Sequence, residues 1–166
     1  MNFQNLFEDL EAQFENSRQR QSAKLNFETT NLVVIKMSNK LHREVIAPIV
    51  AQDFIAGLDL AAPIWHVVPF HAVRTLKFEQ ELPTDLPKLR QLDKTFAEFL
   101  SHTPMPNPAK WRVLGASEHQ KTGQLVGLVG NLICLVDSAE GGLITVPIQS
   151  IQELSIESVD KLNGDF

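Results

Sequence analysis

His66 and His71 stand five residues apart, with Asp53 and Asp59 upstream, and form the densest group able to move a proton or bind a metal. Imidazole and carboxylate together serve both acid–base work and zinc binding. A protein metal site takes three or four ligands, however, and no other residues here have metal-ligand spacing. A turn at Pro69 also gives no reason for both rings to point the same way. The pattern predicts histidines that face solvent or take one hydrogen bond. A metal-dependent enzyme around His66 and His71 is the third reading.

The other chemical candidates are weaker. Ser38-Asn39 with His42 is not a nucleophile arrangement, and Gly-x-Ser-x-Gly is absent. Gly127-Leu128-Val129-Gly130 lacks the Lys-Ser/Thr of a phosphate loop. Cys134, the only cysteine, lies between Ile133 and Leu135, which predicts an inert strand thiol and excludes a disulfide. No cofactor and no catalytic function are expected.

Basic residues recur at two turns. Lys36, Lys40, His42 and Arg43 surround one, and Lys110, Arg112, His119 and Lys121 surround another. They suit phosphates or an acidic partner, or else belong to ordinary solvated turns. The formal net charge of −5 opposes a broad nucleic-acid surface, which needs clustered Lys and Arg. Trp65 and Trp111 are expected in the core or at a seam.

These residues must be held by short β elements. At an offset of 78 residues, Val68-Pro69-Phe70-His71-Ala72-Val73 falls on Val146-Pro147-Ile148-Gln149-Ser150-Ile151. With no gap, Val33 and Ile35 meet Trp111 and Val113, and Asp53-Phe54-Ile55 meets Asn131-Leu132-Ile133. Apolar mostly meets apolar over about 45 residues, which predicts two copies of one β-rich unit. Five short apolar runs in each leave no room for crossover helices, so each unit is expected to be an antiparallel barrel.

The expected division is a helix over 1–24, a barrel over 25–77, a linker and helix over 78–108, a barrel over 109–156 and a polar tail over 157–166. Phe3, Leu6, Phe7, Leu10 and Phe14 give the first helix its apolar stripe, which also offers a homodimer interface. The second helix is expected to start at a Thr84-Asp85 cap and end near Ser101, followed by an extended proline-rich stretch. The fold class is thus mainly β with helices (α+β). It comprises two tandem five-stranded barrels, each preceded by a helix.

A helix, five short strands and a Val-Pro-x-x-x-Ile step before the last strand resemble the Sm-like and SH3-like small barrels, and the PRC-barrel group at the same place. The resemblance implies a 3-10 turn at Pro69-Phe70-His71 and at Pro147-Ile148-Gln149. The chain is also similar to actinobacterial helix-plus-barrel proteins, a likeness that implies no activity. Gly123-Gln124-Leu125-Val126-Gly127 followed by Asn131-Leu132-Ile133-Cys134-Leu135 partly resembles the Sm signature, which implies a base contact at Asn131. The Asp of that signature and the Ile/Leu-Arg-Gly motif are absent. A polar residue fixing a turn is the other role open to Asn131.

The sequence therefore points to a non-enzymatic interaction or assembly module with a protein partner. The alternative is RNA- or DNA-linked regulation through the basic turns. Lys36, Lys40, Arg43, Arg112, Lys121 and Asn131 are the candidate contacts in either case. The acidic N-terminus is not a signal peptide, and the apolar run Leu125–Val136 is too short to span a bilayer. The expected compartment is the cytoplasm.

Overall fold

The computed structural model describes residues 32–79, 89–105, 107, 109–116 and 119–157. Strands β1 (Val33–Met37), β2 (His42–Val50), β3 (Phe54–Asp59), β4 (Ile64–Pro69) and β5 (Val73–Phe78) form the first set. After the short β6 (Arg90–Gln91) and helix α1 (Phe96–Ser101) come β7 (Lys110–Gly115), β8 (Gln120–Val129), β9 (Leu132–Asp137), β10 (Leu143–Pro147) and β11 (Ile151–Glu157). Turn chemistry separates them. Lys40, Gly130 and Gly141 take positive φ between successive strands, where glycine avoids the Cβ penalty.

Pro69 and Pro147 close β4 and β10, and each is followed by a 3-10 turn, Phe70–Ala72 and Ile148–Ser150. Proline has no N–H for a ladder, so it sits naturally where pairing stops. A shift of 78 residues carries the first 3-10 turn onto the second and β3 onto β9.

The two expected barrels are not present. The strands form one open eleven-stranded sheet in the order β10-β9-β8-β7-β11-β4-β3-β2-β1-β5, with β6 beside β2. Among the described residues all pairings are antiparallel except β2–β6. The physical reason is β11, which pairs with β7 on one side and β4 on the other. The last strand joins the two sets instead of closing its own.

The helix expectations also change. The N-terminal helix, its proposed dimer interface, the Thr84-Asp85 cap and most of the C-terminal tail lie outside the described residues. Within 89–101 only α1 is helical, six residues long. Its start is set by Thr95, whose hydroxyl accepts from Glu98 N–H at 3.1 Å, the spacing of a capping box. Upstream, Arg90 and Gln91 pair in parallel with Ile49 and Val50. A bulge in β2, with Ala47 at φ 50, precedes that contact.

Two apolar clusters occupy opposite faces. Val67, Leu154 and Val113 are partners across β4, β11 and β7 and belong to the larger cluster. Helix α1 adds Phe96, Phe99 and Leu100, with Phe54 between the rings at centroid distances of 5.8 and 5.5 Å. Neighbouring strand residues point to opposite faces, so His66, Ser155 and Arg112 line the other side. That side carries the smaller cluster of Val33, Ile35, Val45, Ile55 and Val68. Among the described residues no helix is long and apolar enough to cross a membrane.

Candidate functional site at the seam

The β4–β11 seam holds a charged group in a largely buried setting. The β3–β4 hairpin sets Gly57 opposite His66 and leaves Asp59 at the end of β3. Glycine is required at 57, since a Cβ there would lie 2.6 Å from Val45 Cγ2. Arg43 reaches in from β2, and Glu153 and Ser155 come from β11.

Arg43 grips Glu153 with two hydrogen bonds, Nε to Oε2 at 2.8 Å and Nη2 to Oε1 at 2.9 Å. His66 Nε2 lies 2.7 Å from Asp59 Oδ2, and His66 Nδ1 lies 3.3 Å from both Glu153 Oε2 and Ser155 Oγ. The side chains of Glu153 and His66 are only 4% and 7% exposed. Asp59 Oδ1 also accepts the N–H groups of Ala61 and Ala62 at 2.8 and 3.1 Å.

These partners set the carboxyl chemistry. Burial pushes Glu153 up, but the hydrogen bonds and charges of His66 and Arg43 outweigh it and hold the carboxyl below its ordinary value. Burial likewise opposes Asp59, and the His66 hydrogen bond with the Ala61 and Ala62 amides brings it below its ordinary value. The Glu153 hydrogen bond outweighs burial at Arg43 and raises its guanidinium. A doubly protonated His66 donates to both carboxylates. A neutral ring donates to Asp59 and accepts from Ser155.

Asp59, His66 and Ser155 follow one another as carboxylate, imidazole and hydroxyl. Ser155 is buried, and Glu153 competes for the same ring nitrogen. The arrangement spends its charge on joining β11 to β2, β3 and β4. Glu153 and Ser155 escaped sequence reasoning because they alternate with Leu154 and Ile156 and so read as a solvent face.

The histidines separate. His71 Nε2 bonds the Ile151 carbonyl at 2.8 Å, and Asp53 accepts from Phe96 N–H at 2.6 Å. His66 is buried with partners on both nitrogens, where one hydrogen bond or solvent was expected. Among the described residues no group of three or more His, Cys, Asp or Glu side chains is arranged to hold a metal.

The six candidate contacts divide in the same way. Arg43 and Arg112 line one pocket of about 250 Å³ at the seam. Arg112 lies 3.5 Å from Glu157. Lys36, Lys40 and Lys121 are exposed outside this pocket. Asn131 is exposed in the β8–β9 turn, where its carbonyl accepts from Ile148 N–H at 2.8 Å. Trp65, Trp111 and Cys134 are buried.

The sheet ends provide a second feature. Strand β10 is an edge, Leu143-Ile144-Thr145-Val146-Pro147 without a charge, and its Leu143 is 67% exposed opposite Val136. Strand β5 is the other edge and carries Arg74 and Lys77. Compared with known proteins, no family model and no curated protein matches the chain.

Proposed function

We propose that the protein is a non-enzymatic assembly module of the cytoplasm whose partner is a second copy of itself, added strand to strand. The observation that carries this reading is the β4–β11 seam. Under the 78-residue offset β4 is the equivalent of β10, and β5 the equivalent of β11. The chain pairs one such couple internally, and among the described residues the other couple forms the two edges of the sheet. An uncharged apolar edge is a template for another strand unless it is covered.

The internal register transfers directly. Leu154↔Val67 and Ile156↔Trp65 become Leu76↔Thr145 and Phe78↔Leu143 between copies. Gln149 replaces His71, and its amide can donate to the Val73 carbonyl as His71 meets that of Ile151. Lys77 replaces Ser155 and lies within reach of Asp137, the equivalent of Asp59. The Arg43–Glu153–His66 clasp has no counterpart, so the joint is weaker than the seam and depends on concentration. Because the two surfaces differ, the contact is head-to-tail.

Two measurements test it. Sedimentation velocity over a wide concentration range should show reversible self-association, weakened by Leu143→Lys. In a Cys134→Ser chain carrying Phe78→Cys and Leu143→Cys, mild oxidation should give covalent dimers and longer ladders, since directly opposed strand positions suit a disulfide. A monomer at every concentration with no cross-link would sink the reading. The nucleic-acid alternative has less support, because Lys36, Lys40 and Lys121 do not gather with Arg43 and Arg112 at one pocket.

A further inference from the structure

The seam pocket has an asymmetry of hydrogen-bonding capacity. Its acceptors are used. Both Glu153 oxygens take Arg43, one Asp59 oxygen takes His66, and the other takes two backbone N–H groups. Its donors are less committed. Arg112 is 39% exposed and meets Glu157 at 3.5 Å, longer than a charge-assisted hydrogen bond. Among the described residues, Arg43 Nη1 donates to the His42 carbonyl at 3.3 Å. The exposed Gln120 adds an amide at the rim.

Part of the wall is apolar, beside His66, Ser155 and the two carboxylates. Leu41, Ile64 and Leu114 line the same pocket of about 250 Å³, and Leu41 is 39% exposed. Weakly partnered donors beside aliphatic side chains suit an anion attached to a short apolar body better than a strongly hydrated inorganic ion.

We propose that this pocket binds a small organic carboxylate, its oxygens held by Arg112 with Gln120 and the outer edge of Arg43, its hydrocarbon against Leu41, Ile64 and Leu114. Arg112 exchanges Glu157 for the ligand. A guanidinium suits this role because its planar fork matches a carboxylate. The site is independent of self-association, since none of its residues lies on β10 or β5.

The test uses the full chain with 3-methylbutanoate, 4-methylpentanoate and phenylacetate as probes, followed by amide chemical shifts in NMR titrations. At least one should bind saturably, with shifts centred on β4, β7 and β11. Arg112→Gln should weaken it about tenfold, as should replacing the probe by its neutral amide. Lys110→Gln, a charge change on the same strand outside the pocket, should leave affinity unchanged. Failure of all three acids to bind would overturn the proposal. So would equal binding by Arg112→Gln or by the amides, which would mark a merely greasy cleft. Equal binding of inorganic phosphate would also overturn it.

Discussion

The β4–β11 seam and the free β10 edge are the same kind of strand edge given different fates. Both strands end in proline before a 3-10 turn, and both follow a hairpin whose aspartate holds its own turn. Asp59 Oδ1 accepts from Ala61 N–H at 2.8 Å, and Asp137 Oδ1 from Ala139 N–H at 2.9 Å. The difference lies in what faces the edge. His66, Arg43 and Glu153 meet at the seam, whereas their equivalents under the offset are Ile144, Lys121 and Thr75. Similar backbone therefore forms an edge in each set, and at the seam a charged group spans the pairing.

The largest test of that contrast is Glu153→Gln. It leaves the Arg43 guanidinium partly buried without its charge partner, a change that costs about 3 kcal/mol when a buried pair is broken. Thr75→Gln at the equivalent exposed position should stay within about 0.5 kcal/mol of the parent. Urea unfolding of the two variants measures both. Equal effects would mean that the seam charge does not distinguish the edges.

Acid should act on the same group. The folded-state carboxyls of Glu153 and Asp59 lie below their ordinary values of 4.5 and 3.8. Their contribution is therefore complete above those values and is lost as pH falls through the lower folded ones. Stability should decline on acidification below the ordinary carboxylate range. Glu153→Gln should flatten that decline, measured as unfolding midpoints across the acid range. An unchanged slope would place the acid sensitivity elsewhere.

A smaller effect is expected from His66→Ile, which gives the seam the residue found at the equivalent position of the free edge. Asp59 and Glu153 lose a hydrogen bond each, while Arg43 and the Ala61 and Ala62 amides still serve them. The loss should be about 1.5 kcal/mol in urea unfolding. A stabilised protein would show that an apolar residue serves the seam better, as happens at some buried ion pairs.

Much of this was legible locally. Turn residues and apolar runs mark the strand segments, the two prolines mark strand ends, and the 3-10 steps follow from the resemblance to SH3-like barrels. His66 and Asp59 stand in one candidate group with Asp53 and His71, and the sequence does not single out their pairing. Closure of each set was misread because an edge strand looks the same in sequence whether it pairs with its own unit or the next. The pairing of β11 with β4 joins residues about 90 positions apart, and no short pattern encodes it. Leu89 and Leu92 fit a helical stripe although they precede the helix, which starts at the Thr95–Glu98 cap. Glu153 stayed hidden because alternation gives the face of a strand and not what covers that face.

The finest test compares the two turn aspartates. Asp59→Asn and Asp137→Asn both keep a side-chain oxygen for the turn amide, so the local cost should nearly cancel. Only Asp59 also holds an imidazole, at 2.7 Å. Asparagine can accept from His66 but offers no charge, which weakens that bond without abolishing it. Asp59→Asn should therefore be the more damaging by about 1 kcal/mol. The gap should vanish when both changes are made in a His66→Ile background, because the partner that distinguishes them is gone. A gap that survives would show that Asp59 acts through its turn alone, and that the seam depends on Arg43 and Glu153 without the imidazole.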